Sequence, residues 1–315
     1  MKRRNVVGGS AALLLLILLV IFKSGVFDFK PNIKSSAAVL MDMKSGHIWM
    51  DVNGDVSLPP ASMSKMMTEL LVLDRISEGR SRWEERVPIS LYASSVGGIT
   101  LSLKRGETYT VRELFQGIAV YSANDAAIAL AEHIAGSENS FVVMMNNKAR
   151  SLGLSSKSVF ANASGLSGKD LGPHRPPGQG NAETLMTAKD AARLAMALIQ
   201  NHPEVLGTSS LTQMKLSGKG LYVTNMNSML PEMGGAYAYE GNDGLKTGYD
   251  SQTGYCFAGT AHRDGQRLIA VVMGAKSSQE RFEETAQLFD YGFYQSMPWE
   301  SRVKFFLHRI GIVKG

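Results

Sequence analysis

The sequence predicts an α/β chain of the α+β kind: one antiparallel sheet assembled from both chain ends, covered by helices and joined to a mostly helical lobe. Three observations carry this prediction. Alternating apolar residues and turn chemistry occupy Ser36 to Asp51, apolar residues at helical spacing fill much of Ala61 to Gln200, and strand-like segments return between Gly244 and Gly274. Strands at both ends of a helical middle bury their apolar faces most simply as one sheet beneath helices, with a cleft where the second lobe begins.

The first element is a hairpin. Ala37, Val39 and Met41 project one way, Lys44-Ser45-Gly46 supplies the turn, and His47-Ile48-Trp49-Met50 resumes an apolar strand. Pro59-Pro60 ends the extended segment and opens a helix in which Met63, Met66, Met67, Leu70 and Leu71 are core filling, with Gly79 as its stop. Further helices are expected near Val111 to Val120, Asp125 to Ala135, Ser140 to Leu152 and Asp190 to Gln200, the last behind a Thr187-to-Asp190 capping box. Gly165 to Asn181, with Pro173, Pro176, Pro177 and five glycines, is a long loop. Strands follow at Gly244 to Tyr249, Gly254 to Ala261 and Arg267 to Gly274, the latter two joined by the turn Arg263-Asp264-Gly265-Gln266. A closing helix from Gln279 to Gln295 presents Phe282, Ala286, Leu288, Phe289 and Phe293.

The composition is that of an ordinary globular protein: 315 residues, 44% hydrophobic and 19% charged. Its N-terminus is the exception. Lys2, Arg3 and Arg4 precede an uncharged, largely apolar run from Val6 to Phe22, and Lys23, Val26, Phe27 and Asp28 stand where a small-residue cleavage pattern would lie. The expected organisation is a basic flank, membrane anchor and linker over residues 1–30, one catalytic domain over 31–297, and a short basic tail over 298–315. An uncleaved signal anchor of this kind keeps its basic flank in the cytoplasm and places the domain outside the membrane. The one cysteine, Cys256, excludes an intramolecular disulfide framework. A net charge of +5, three of it in the N-terminal flank, reads as solvated surface rather than a nucleic-acid site. The six histidines show no metal-ligand spacing, so neither a metal nor any other cofactor is expected.

Three polar clusters carry the chemistry: Ser62-Met63-Ser64-Lys65, Ser122-Ala123-Asn124 and Lys246-Thr247-Gly248. The prolines place Ser62 at a helix N-terminus, where unpaired N–H groups favour a developing oxyanion. Lys65 lies one turn on, sharing a face with Ser62. A serine hydroxyl needs a base, and a lysine can be that base if burial and a second cation destabilise its ammonium. Lys246, reaching from a sheet edge, is that second cation. Ser122 can relay a proton, and the Asn124 amide can donate to and accept from a peptide-like substrate. An extended substrate can add to the edge strand that holds Thr247 and Gly248, the glycine leaving room for the substrate backbone.

With these clusters go Leu58-Pro59-Pro60-Ala61, Asp125-Ala126, Asp243-Gly244-Leu245 ahead of Lys246, Gly254-Tyr255 and Arg263-Asp264-Gly265. Over roughly residues 35 to 295 the chain resembles the low-molecular-mass penicillin-binding proteins of the D-alanyl-D-alanine carboxypeptidase family. The resemblance implies the transpeptidase fold shared with β-lactamases, with the active site between sheet and helical lobe. It implies Ser62 as acylated nucleophile, Lys65 as base, and Ser122, Asn124 and Lys246 completing the catalytic cluster. Thr247 would hold the substrate carboxylate, Ser62 and Tyr249 would give oxyanion-hole N–H groups, and Arg281 would assist with the carboxylate. The implied substrates are peptidoglycan stem peptides, and β-lactams would acylate the same serine.

Three departures from the family pattern stand out. Few residues follow Phe293, so the β-rich C-terminal domain common in the family is not expected, which fits an N-terminal anchor and also matches shorter relatives that cut cross-links. The loop from Gly165 to Asn181 is longer than usual, and Tyr249 stands where some members carry histidine. A cross-link endopeptidase is therefore the alternative activity. A β-lactamase lacks support for want of a Glu-x-x-x-Asn deacylating loop between Asn124 and Lys246, and a non-catalytic wall-binding or β-lactam-sensing protein would not need the intact nucleophile and base.

Overall fold

The structure is a computed structural model and describes residues 30–175, 177, 178, 182–297, 301 and 302. The expected N-terminal anchor and most of the basic tail lie outside the described residues, as do positions 176 and 179–181 of the long loop. Among the described residues, no helix is long and apolar enough to cross a membrane.

Eleven strands and seven α-helices are described. Strands β1 (Ala37–Asp42) and β2 (Ile48–Val52) form the expected hairpin, followed by the short strand β3 (Ser57–Leu58). A 3-10 turn over Ala61–Ser64 leads into α1 (Lys65–Ser77), and Gly79 (φ +69°) follows its C-cap, where the backbone turns left-handed. Strands β4 (Arg86–Pro88) and β5 (Thr108–Thr110) form a ribbon that leads into α2 (Val111–Tyr121), α3 (Asn124–Ala135) and α4 (Glu138–Ser151). After the long loop, β6 (Met186–Thr187) pairs with β3 and opens α5 (Ala188–Asn201). A short α6 (Val205–Ser209) and the ribbon of β7 (Gln213–Leu216) and β8 (Leu221–Thr224) precede β9 (Asn242–Asp250), β10 (Gly254–Arg263), β11 (Gln266–Ala275) and α7 (Ser278–Ser296).

The main sheet runs β2-β1-β11-β10-β9, antiparallel throughout, so the two ends of the chain meet where β1 pairs with β11. Period-two alternation divides its side chains between two cores. Ala37, Val39, Met41, Ile269, Val271 and Met273 face the helical lobe, while Ala38, Leu40, Leu268, Ala270 and Val272 pack with Phe282, Leu288, Phe289 and Phe293 of α7. A Cβ on Gly292 would come within 2.6 Å of Leu268 and 2.9 Å of Leu40, which explains glycine on that helix face. The β10–β11 turn carries positive φ at Asp264 (48°) and Gly265 (78°), the geometry a two-residue hairpin prefers.

The local capping differs from expectation. The full capping box sits at Thr110, whose hydroxyl accepts from Glu113 N–H while the Glu113 carboxylate accepts from Thr110 N–H. At Thr187 only half of the motif forms: its Oγ1 accepts from Asp190 N–H, but the Asp190 carboxylate accepts from Ser155 and Ser158 and pairs with Arg193. Those bonds tie the helix start to the preceding loop instead.

Candidate active site

The cleft between α1 and β9 brings the three polar clusters together. Ser62 is half-buried in the 3-10 turn held by the bond from Met63 N–H to the Pro60 carbonyl (3.2 Å). Ala61, just before it, takes φ +50°, a conformation non-glycine residues rarely adopt and one that clusters at functional sites. Lys65, fully buried, donates to Ser62 Oγ (2.8 Å), to Asn124 Oδ1 (2.7 Å) and to the Ser164 carbonyl (2.6 Å). An ammonium can donate to all three, whereas the neutral amine keeps two of these bonds and turns its lone pair to the Ser62 hydroxyl, which then donates.

Burial is the main reason that Lys65 loses its proton far more readily than an ordinary lysine, and the nearby Lys246 cation adds to it. Lys246, 2% exposed on the edge strand β9, is itself pushed down to about 8, chiefly by burial, with Glu69 opposing the fall and Arg281 adding to it. One lysine is thus primed to be neutral while the other holds its charge near neutral pH.

Ser122 is the left-handed C-cap of α2 (φ 67°), buried, two residues before Asn124. Asn124 opens α3 rather than capping it. Its Oδ1 accepts from Lys65 and its Nδ2 donates to the Gly97 carbonyl (2.8 Å), so this amide holds the base as well as facing the cleft. Asp125 braces the same corner by accepting from the backbone N–H groups of Leu101, Leu103 and Ala126.

On the opposite wall, Thr247 is buried and Tyr249 is 59% exposed, its ring packed on that of Tyr255 with centroids 4.6 Å apart and planes tilted by 44°. Gly248 has a different reason from the one expected. A Cβ there would stand 2.6 Å from the Pro60 oxygen and 3.3 Å from Ala61 Cβ, so the glycine makes room for the nucleophile turn of the protein itself. Arg281 reaches the site through the strand: it donates to the carbonyls of Gly248 (3.1 Å) and Cys256 (3.4 Å) and to the Ser278 hydroxyl (3.0 Å). Burial lowers its guanidinium to about 10, which leaves it a cation at neutral pH.

Two contributors escape sequence reasoning. The Ser164 carbonyl has no side-chain signature, yet the turn that aims it does. The Asn162 Oδ1 accepts from the N–H groups of Ser164 (3.1 Å) and Gly165 (2.6 Å), an Asx-type turn readable in Asn162-Ala163-Ser164-Gly165. Gly165 is required there, since a Cβ would lie 2.2 Å from the Ala61 carbonyl oxygen. The second is Glu69, a buried carboxylate one turn beyond Lys65. Among the described residues no group of histidine, cysteine and acidic side chains could hold a metal ion.

A nucleophile, a destabilised lysine and a cationic strand edge are the parts an acyl transfer needs. Comparison with known proteins agrees. A family model described as D-alanyl-D-alanine carboxypeptidase matches residues 26–277. The chain is 34% identical to D-alanyl-D-alanine carboxypeptidase DacF of Bacillus subtilis over 264 residues, 83% of this chain and 63% of that one. It is 33% identical to DacC of Escherichia coli over 277 residues, 84% of this chain and 62% of the relative. The chain therefore spans a little under two thirds of the length of these curated relatives. Among solved structures, penicillin-binding protein D2 of Listeria monocytogenes in its ampicillin-bound form superposes with a TM-score of 0.72 at 34% identity, covering 84% of this chain and all of that one. PBP3 of Streptococcus pneumoniae gives 0.78 at 32% identity, over 84% of this chain and 74% of that chain.

Proposed function

This chain belongs to the D-alanyl-D-alanine carboxypeptidase family, and from that premise we propose that it is a serine DD-carboxypeptidase that removes the terminal D-alanine of peptidoglycan stem peptides. The observation that carries the proposal is Ser62 Oγ 2.8 Å from the Nζ of a fully buried lysine.

Neutral Lys65 takes the Ser62 proton as Oγ attacks the penultimate D-alanine carbonyl. The oxyanion forms where the family places the N–H groups of Ser62 and Tyr249, at the start of a helix whose dipole favours it. Thr247 and cationic Lys246 hold the substrate carboxylate, with Arg281 bracing their strand through the Gly248 carbonyl. The C–N bond breaks, the D-alanine amine receives the proton by way of Lys65 and Ser122, and water then releases the Ser62 ester by the reverse proton path. Among the described residues the outer edge of β9 has no strand partner in the main sheet, so an extended peptide can pair along it. A β-lactam would enter the same first step and clear slowly, in keeping with the ampicillin-bound Listeria relative.

Intact-mass measurement after benzylpenicillin, followed by D-alanine release from a D-Ala-D-Ala-ended peptide, tests the proposal. One drug adduct and released D-alanine are expected, both lost in Ser62→Ala. Cleavage of cross-linked peptides with no action on monomeric ones would replace carboxypeptidase by endopeptidase. The sequence supports one further reading, that residues 6–22 anchor the enzyme with its domain on the extracytoplasmic side of a bacterial membrane. Membrane recovery of the full chain, lost on deleting residues 1–30, is the expected result.

A further inference from the structure

The mechanism above uses Lys65 and Lys246 and leaves the buried carboxyl group beside them, Glu69, unassigned. Glu69 follows Lys65 by four residues on α1, so the two side chains rise from one helix face with Cβ atoms about 6 Å apart. Only 2% of Glu69 is exposed, and its Oε1 is buried with no hydrogen-bond partner among the described residues. A buried carboxylate oxygen without a partner is costly, so a compensating role is expected of it.

The surroundings supply that role. The Lys65 Nζ stands within hydrogen-bond reach of the uncharged oxygens of Ser62, Asn124 and Ser164, and among the described residues no carboxylate is bonded to it. Glu69 is the carboxylate whose field reaches both lysines, raising the proton affinity of each. Asp125, packed from α3, acts on Lys65, and Arg281, from α7, acts on Lys246 with the opposite sign.

We propose that Glu69 is a positioning residue that acts through the two lysines: its carboxylate is the counter-charge that keeps Lys246 cationic while Lys65 serves as a neutral base. The assignment rests on the serine acyl-transfer reading given above. Without the counter-charge, burial and Arg281 would lower Lys246 further, and an uncharged Lys246 would neither depress Lys65 nor attract a carboxylate. Burial lifts Glu69 itself to about 7, so its charge is gained across the working pH range.

The test is the pH profile of the second-order rate of penicillin acylation, followed by quenched intact mass, in the wild type, Glu69→Gln and Glu69→Asp. Removing the carboxylate should move the basic limb of the profile to lower pH by about one unit or more, the size expected of losing a nearby opposite charge at intermediate dielectric. Glu69→Asp should restore most of that shift. A Gln profile scaled down with its limbs unmoved would overturn the proposal, because a packing role changes the amount of competent enzyme and not the proton affinity of its lysines. Wild-type protein with 13C-labelled glutamate carboxyls gives a second readout that needs no variant. The Glu69 carboxyl is expected to be ionised over the pH range in which acylation is fast and to shift on acylation, and a Glu69 carboxyl that stays protonated throughout that range would contradict the assignment. Acylation requires no peptide, so an enzyme with the expected profile that releases no D-alanine would remove the carboxypeptidase reading and leave Glu69 in place.

Discussion

The two faces of the central sheet bury similar layers of apolar side chains and differ in what else they bury. Beneath α7 the layer is aromatic and aliphatic, with Phe257 edge-on to Phe282 at 5.3 Å and Phe289 against Tyr239 and Phe293, and the buried charges that α7 carries, Arg281 and Glu284, are bonded to backbone groups. Toward the helical lobe the chain buries Lys65, Glu69, Asp125 and Lys246 alongside its methionines and alanines. Buried charge is expensive unless it is paired or used. The first face is therefore where the fold is stabilised, and the second is where stability is given up for chemistry.

That contrast can be broken experimentally. The largest effect should come from the chemical face: Ser62→Ala should lower peptide hydrolysis by about 10⁴-fold or more, as removal of a nucleophile does elsewhere, with the melting temperature unchanged within a few degrees. Phe289→Ala on the other face should cost about 3–5 kcal/mol of stability through lost burial and a cavity, read by denaturant unfolding. The acylation rate per folded molecule should stay at the wild-type value. Gly248→Ala joins the two faces of the argument, because its new Cβ must displace the Pro60 carbonyl 2.6 Å away. A shift of about 1 Å in the nucleophile turn should slow acylation by ~10²-fold, in excess of any loss of folded protein. The smallest effect is expected at the cleft rim, where Tyr249→Ala removes the tilted ring contact with Tyr255. A contact of that kind is worth about 1 kcal/mol, so a few-fold rise in KM with kcat nearly constant is expected, and a loss matching Gly248→Ala would show that the exposed ring does more than line the entrance.

Much of the site could be read in the sequence because its parts are side chains at helical or strand spacing. Ser62 and Lys65 had to share a face, and the 2.8 Å contact follows from that spacing. Lys246 and Thr247 had to lie on a strand, and the return of the chain to complete the sheet made it an edge. What escaped was set by tertiary contact. Gly248 looked like room for substrate, but whether a missing Cβ faces a ligand or the protein's own backbone depends on which turn crosses the strand. The Ser164 carbonyl carries a third of the Lys65 hydrogen bonds with a group every residue possesses. Glu69 reads in sequence as an ordinary polar position of an amphipathic helix, and only the packing of α1 against α3 and β9 buries it. The β7–β8 ribbon does alternate, with Met214, Leu216 and Val223 buried and Gln213, Lys215 and Tyr222 exposed, but its strands are only four residues long, too short a pattern to stand out in sequence. Thr187 and Asp190 had capping-box spacing, but serines at 155 and 158 captured the carboxylate.

The central claim is that burial and a neighbouring cation, rather than a histidine or a metal, make Lys65 the base for Ser62. The pH dependence of wild-type penicillin acylation tests it most directly. The expected rate is already high near neutral pH, because Lys65 is deprotonated well below the ordinary lysine value of 10.5, and declines above about 8 as Lys246 loses its proton. A rate that is negligible at neutral pH and climbs only as the medium approaches 10.5 would contradict it.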